Sequence, residues 1–264
     1  VQRGYTPSPL FPSVAWGLHQ LKAPPSSQPE VFLLPINTLI SGLETPAFHA
    51  RVAECYTEGY RCFKIKVGLQ ELSLEIERIR QVIRDYPDIT LRLDANRSWS
   101  FGAFQHFIED LDLSRIEYFE EPFRDTAEYA KLKSEHWKHI ALDESLANAD
   151  RDFLSQASAF VMKPMVLGPA RLEQLLQWAK RSEIKMVLSA CFETSVGLGH
   201  LAKYAASHAP QTPCGLDTHR SFTADLWTPQ IHIKQGKLDF QQAFFTAASQ
   251  GQLKWNTTYI RKIN

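Results

Sequence analysis

Five short apolar runs, each closed by a charged residue, recur along this chain. They are Phe63-Lys64-Ile65-Lys66-Val67-Gly68, Leu91-Arg92-Leu93-Asp94-Ala95-Asn96, Tyr118-Phe119-Glu120-Glu121-Pro122, Ala141-Leu142-Asp143-Glu144-Ser145 and Phe160-Val161-Met162-Lys163-Pro164. From Lys66 through Asp94, Glu120 and Asp143 to Lys163 the steps are 28, 26, 23 and 20 residues, each filled by one strand, one helix and two short loops. The pattern predicts an α/β fold, a TIM-like (β/α) barrel, in which parallel strands deliver their last side chains to one rim. A chain of 264 residues suits one such domain and can bury roughly three quarters of its unfolded surface.

On that expectation Lys66, Asp94, Glu120, Asp143 and Lys163 meet around one pocket. Three converging carboxylates repel one another unless a cation sits between them. Hard oxygen donors of this kind suit Mg²⁺, with Mn²⁺ as a substitute. Singly, each residue reads as easily as a solvated rim charge, but five consecutive strands supplying base, three metal ligands and a second lysine form a constellation. The chemistry that needs this set is removal of a proton next to a carboxylate, where a divalent metal holds the developing negative charge. Lys66 is the expected base. Lys64 is read as leaving the strand on the opposite side and nearing Lys66 only at the rim, where its charge would disfavour a second one.

Charge and composition narrow the partners. Lys+Arg and Asp+Glu both number 29 and no run of like charge occurs, so a small-molecule carboxylate is expected rather than nucleic acid or a membrane. No apolar run approaches the roughly 18 residues of a bilayer span. Cys55, Cys62, Cys191 and Cys214 lack metal or scaffold spacing, which fits the cytoplasm. A monomer is favoured.

Along the chain, residues 1–29 read as a proline-punctuated lead-in. Ser13 opens a helix through Leu21, and Pro24-Pro25-Ser26-Ser27-Gln28-Pro29 marks a domain boundary. Residues 30–224 make the barrel, beginning with Val31 to Asn37 as a first strand buried on both faces. Thr45-Pro46 starts a helix that ends at Gly59. Leu72, Ile76, Ile79 and Ile83 stripe the next helix, Phe104, Phe107, Ile108 and Leu111 the one opened by Ser100, and Leu172, Leu175, Leu176 and Ala179 a later one. A helix is predicted over Thr126 to His136, Asp150 caps another, and Pro213 to Asp217 is a short eighth strand. In the C-terminal segment, residues 225–264, the alternation fades, with a hairpin at Ile231 to Leu238.

The Lys64-x-Lys66 pair and the ends Asp94-Ala95-Asn96, Glu120-Glu121-Pro122, Asp143-Glu144-Ser145 and Lys163-Pro164 resemble the muconate-cycloisomerase-like branch of the enolase superfamily. The resemblance covers roughly residues 12–220. Within the branch, residues 91–99, Asp143-Glu144-Ser145-Leu146 and Gly215-Leu216-Asp217-Thr218 are similar to the gamma-proteobacterial o-succinylbenzoate synthase group. The resemblance implies loss of water from 2-succinyl-6-hydroxy-2,4-cyclohexadiene-1-carboxylate in menaquinone biosynthesis. Lys66 would abstract the proton and return it to the departing hydroxyl, Asp94, Glu120 and Asp143 would bind Mg²⁺, and Lys163 would stabilise the enediolate. Asn96 and Glu121 would support the metal cluster, and Ser189, Cys191, Glu193 and Asp217 would shape the substrate pocket. His200 and His219 stay ordinary polar residues. It further implies an N-terminal capping domain over the barrel mouth, for which residues 1–29 are a remnant at most and against which residues 225–264 could pack.

Alternatives use the same residues. Lys66 and Lys163 could racemise an N-acylamino acid or epimerise a dipeptide, although Asp217-Thr218-His219 offers one carboxylate where an Asp-x-Asp would be expected. A Schiff-base aldolase leaves the three carboxylates unexplained, and a non-catalytic barrel leaves all five residues without a purpose.

Overall fold

The computed structural model describes residues 11–22, 31–222, 227–228, 232–241 and 254–255. The predicted boundary at residues 24–29 and most of the segment after 241 lie outside the described residues.

Seven parallel strands form one sheet in strictly sequential order: β2 (Thr38–Ile40), β3 (Cys62–Lys66), β4 (Thr90–Asp94), β5 (Ile116–Glu120), β6 (Ile140–Leu142), β7 (Ala159–Met162) and β8 (Lys185–Leu188). The predicted eighth strand is reduced to single bridges that close the circle. Cys214 N donates to Pro35 O and Asn37 N to Cys214 O, both at 2.9 Å, while Gly215 N donates to Leu188 O at 2.8 Å. Cys214 thereby pairs with Ile36 and Gly215 with Ser189.

The run expected as the first barrel strand divides in two. β1 (Val31–Pro35) pairs antiparallel with β10 (Lys237–Gln241), which in turn pairs with β9 (His232–Lys234). That hairpin was predicted. The barrel ladder begins only at Thr38. The apolar run signalled burial but not a partner, and Pro35 has no N–H with which to continue a central ladder. Leu33 is 52% exposed and Leu34 is 1%, the alternation of a strand with one wet face.

The helices cover the outer face of the sheet. They are α2 (Ala47–Thr57), α3 (Leu72–Asp85), α4 (Phe101–Asp110), α5 (Ser134–Trp137), α6 (Arg151–Leu154), α7 (Pro164–Arg181) and α8 (Ser195–His208), while α1 (Pro12–Lys22) packs on α7. The predicted stripes are the buried ones: Ile76 and Ile79 on α3, Phe104 and Phe107 on α4, and Leu172, Leu175, Leu176 and Ala179 on α7. Each fully buried side chain of this size contributes about 1.5–3 kcal/mol. Ser100 caps α4 through Ala103 N, and Asp150 caps α6 through Phe153 N. Inside the barrel Tyr118, Ala141, Ala159, Val161 and Val187 pack as a separate small cluster.

The helix predicted over Thr126 to His136 is instead a 3₁₀ stretch, Thr126–Lys131, followed by the short α5. Tertiary packing overrides the local pattern. The Tyr129 ring meets Phe123 at 4.8 Å and stacks on Trp137 at 5.5 Å, and Leu132 and Lys133 adopt extended backbone between the two pieces. All four cysteines are free thiols. No helix among the described residues is long and apolar enough to cross a membrane.

Candidate active site

Parallel pairing sets Lys66 beside Asp94 and Asp94 beside Glu120 at the strand ends. Alternation then decides what faces inward, since residues two apart share a face. Lys64 and Lys66 therefore point the same way, which corrects the expectation that Lys64 leaves the other side. Lys64 Nζ lies 2.7 Å from Glu120 Oε1 and 2.8 Å from Asp94 Oδ2. Lys66 Nζ donates to Asp94 Oδ2 at 2.7 Å and also to Asn96 Oδ1. Across the barrel, Lys163 Nζ donates to Asp143 Oδ2.

The three carboxylates do stand on one arc of the rim, with ammonium groups as their counter-charges. Among the described residues they do not close around a common centre tightly enough to hold an ion. Their chemistry nevertheless fits a divalent cation. Glu120 Oε2 is buried without a hydrogen-bond partner. Burial, followed by the charges of Asp94 and Asp143, pushes the Glu120 carboxyl up to about 8 against the pull of Lys64. An orphaned carboxylate oxygen between two like charges is the position a hard cation satisfies. Burial opposes the charge on Lys64, yet Glu120 and Asp94 hold it above the ordinary lysine value. Lys163 is likewise raised, its burial outweighed by Asp143.

The neighbouring residues separate into two kinds. Glu121 points away from the arc and accepts from Asp143 N at 2.9 Å, Ser145 N at 2.7 Å, Ser145 Oγ at 3.0 Å and Arg97 Nε at 3.1 Å. It fixes the turn that presents Asp143. Asn96, by contrast, reaches the site itself through Lys66. Backbone strain gathers just past the strand ends, with positive φ at Asn96, Arg97, Glu121 and Phe192, a distribution common at functional sites.

On the seventh rim Glu193 Oε2 accepts from Cys191 N at 2.5 Å. Burial raises the carboxyl of Glu193, and the Lys163 charge acts on it in the other direction. Burial, Glu193 and Asp143 push the Cys191 thiol up to about 11, again against Lys163. Cys191 and Glu193 thus adjoin the Lys163 end of the site. Ser189 is buried against Gly215, where an added Cβ would lie 2.6 Å from its Oγ. Asp217 Oδ1 accepts from Arg220 Nε at 2.9 Å, and Arg220 also binds Glu58 and Tyr60.

Two groups escaped sequence reasoning. Arg97 braces Glu121 and Ser145 and gave no signal beyond its place in the Asp94 motif. Glu75 is 1% exposed and receives the N–H groups of Gly68, Leu69 and Gln70. Its signal was present, because position 75 falls at i+3 from Leu72 on the apolar stripe of α3, where a solvated carboxylate has no place.

The geometry has counterparts. The chain is 38% identical over 166 residues to proteins named o-succinylbenzoate synthase from Yersinia pseudotuberculosis serotype IB and Yersinia pestis, an alignment covering 61% of this chain and 51% of each relative. The chain therefore spans about half the length of the curated relatives it matches. Among solved structures it resembles a dipeptide epimerase from Methylococcus capsulatus complexed with Mg ion, with a TM-score of 0.68 and 23% identity over 78% of this chain and 62% of that one. It also resembles muconate lactonizing enzyme from Pseudomonas putida, with a TM-score of 0.67 and 18% identity over 82% and 66%. At such identities the likeness is one of fold, a (β/α) barrel. Residues 47–243, well over half of the chain and the stretch that carries every strand-end charge, match the family described as enolase C-terminal domain-like, and to that family the chain belongs.

Proposed function

We propose that the chain carries the catalytic site of a Mg²⁺-dependent carbon–oxygen lyase that dehydrates 2-succinyl-6-hydroxy-2,4-cyclohexadiene-1-carboxylate to o-succinylbenzoate, a step of menaquinone biosynthesis. One observation carries the reading: Lys66 and Lys163 stand at the two ends of the row Asp94–Glu120–Asp143, each seated on its nearest carboxylate. The relatives named o-succinylbenzoate synthase support the choice of reaction.

In this reading Asp94, Glu120 and Asp143 would hold Mg²⁺, for which Mn²⁺ is a candidate substitute, and a bound cation would supply positive charge to offset the negative charge that develops on the substrate carboxylate. Lys66, as the neutral amine, takes the proton from the carbon next to that carboxylate. The resulting ammonium returns a proton to the hydroxyl as the carbon–oxygen bond breaks, so one water leaves and the ring becomes aromatic. Asn96 and Asp94 aim the Lys66 amine. Lys64 stays charged between Asp94 and Glu120 and offsets their repulsion, while Lys163 stabilises the anion from the other flank. Ser189, Cys191 and Glu193 border the substrate on that flank. We place this reaction in the cytoplasm, in accord with four free thiols, and take the protein to act as a monomer.

The test is loss of cyclohexadiene absorbance with appearance of o-succinylbenzoate, first with Mg²⁺ and then with EDTA. Rapid metal-dependent conversion is expected. Mg²⁺ binding without conversion would overturn the dehydration. It would turn the site toward racemisation of N-acylamino acids, which the opposed lysines also permit. A dipeptide substrate is disfavoured, since Asp217-Thr218-His219 offers one carboxylate where two would be expected to meet a substrate ammonium.

A further inference from the structure

The base proposed above sits at the last position of β3, so its placement depends on how the chain leaves that strand. Val67 still bonds Asp94 O at 3.0 Å, and the next three N–H groups have no strand to pair with. All three converge on Glu75. Its Oε2 accepts from Gly68 N at 2.8 Å, and its Oε1 accepts from Leu69 N at 3.0 Å and Gln70 N at 3.1 Å. The Leu69 side chain is 69% exposed, so its burial does not hold the loop; the hydrogen bonds to the carboxylate do.

The other side of this loop is equally constrained. Gly68 has φ +80, and a Cβ there would fall 1.7 Å from Ser98 Oγ and 2.9 Å from Trp99 Nε1. Its backbone therefore lies directly on the loop after β4, the loop that supplies Asn96 to the Lys66 ammonium. The exit from β3 is clamped between Glu75 and Ser98–Trp99. Lys66 is fixed at both ends, its ammonium by Asp94 and Asn96 and its main chain by this clamp.

We infer that Glu75 is a positioning residue for Lys66, acting through the Gly68–Gln70 loop; this rests on the reading of Lys66 as the base. Glu75 touches no reacting atom. Its two oxygens must both accept, and a glutamine offers an acceptor on one side only, turning an NH₂ group against an N–H on the other. Glu75→Asp keeps both acceptors on a shorter arm. A displaced general base lowers the rate of the chemical step more than it weakens substrate binding.

The experiment compares the full chain with Glu75→Gln and Glu75→Asp. It reads kcat and KM for the dehydration, Mg²⁺ affinity by calorimetry, and the rate at which trinitrobenzenesulfonate modifies Lys66 relative to Lys163, resolved by peptide mapping. For Glu75→Gln we expect kcat to fall by roughly tenfold or more, KM and Mg²⁺ affinity to stay within about twofold, and the Lys66-to-Lys163 labelling ratio to shift by about threefold, with partial recovery in Glu75→Asp. An unchanged ratio with unchanged kcat overturns the inference. So does a fall in kcat matched by an equal rise in KM and an equal loss of Mg²⁺ affinity, which marks general damage to the fold. Should Glu75→Gln fail to fold, Glu75→Asp gives the same readouts with smaller expected shifts. If the unaltered chain converts no substrate, the dehydration reading fails on its own. The labelling ratio still decides Glu75, a shift supporting the clamp and no shift refuting it.

Discussion

From β2 to β8 the barrel wall is a run of parallel ladders, whereas between β8 and β2 it is closed by single bridges at Cys214 and Gly215. Side chains do at this seam what main-chain pairing does elsewhere. Arg92, fully buried, reaches across the floor of the barrel to Asn37 Oδ1 at 2.9 Å, Pro213 O at 2.7 Å and Glu117 Oε2 at 2.6 Å. Arg220 ties the turn after Gly215 to Glu58 and Tyr60, before β3. The proposed chemistry occupies the laddered arc, where pairing fixes the level of each strand end. If the proposed reading holds, one arc of the rim carries the reactive groups and the opposite seam holds the barrel closed, so substitutions in the two should separate activity from stability.

The largest expected separation comes from Lys66→Ala. Removing a general base should lower turnover by about 10²–10⁴-fold while the urea midpoint stays close to that of the unaltered chain, because the side chain sits at the rim. A variant with substantial residual turnover would end the assignment of Lys66. Arg92→Met should do the reverse. Leaving Glu117 and the Asn37 and Pro213 oxygens without their guanidinium is expected to remove about 3–5 kcal/mol of stability, read by denaturant unfolding, with Mg²⁺ affinity retained wherever the chain remains folded. If instead metal binding fell with stability unchanged, the division between arc and seam would be lost.

Arg220→Ala probes the seam at its more exposed outer face. The Arg220 side chain is 30% accessible, so solvent screening holds the expected loss to about 1 kcal/mol. Faster amide exchange at Cys214 and Gly215, with β4 and β5 unaffected, would sharpen the comparison.

The smallest effect is a pH dependence at Glu117. Burial works to raise its carboxyl, but Arg92 and the bond from Lys185 hold it below the ordinary 4.5. A carboxylate whose folded value is depressed adds stability above its unfolded value, and that stability disappears as the pH falls through the folded one. Between pH 6 and 3 the unaltered chain should therefore lose more stability than Glu117→Gln, the difference opening below about 4.5. Parallel curves would show that Glu117 carries no such linkage.

Much of the site was legible before any coordinates. Parallel βα units send strand-end residues to one rim, so Lys66, Asp94, Glu120, Asp143 and Lys163 could be grouped from spacing alone. What misled was local context. Val31–Pro35 is as apolar as a barrel strand but belongs to the hairpin sheet, since hydrophobicity specifies burial and not the partner. The acidic neighbours Glu120 and Glu121 look interchangeable in sequence, yet one faces the barrel axis and the other, at φ 39, turns aside to receive backbone N–H groups. Asp217, placed among the pocket residues by its strand-end position, is also held by Arg220, whose reach from the following turn no pattern announces.

The sequence by itself determined the order and spacing of the parallel units, the buried faces of the long helices and the charge types at the strand ends, because these follow from periodicities of two and 3.6 and from short-range capping. The tertiary structure alone decided which carboxylates meet lysines and which cage backbone N–H groups, and how the seam closes. Those outcomes depend on hydrogen bonds between residues far apart in the chain, such as Arg92 with Pro213, whose directions are set only once the barrel has brought their elements together.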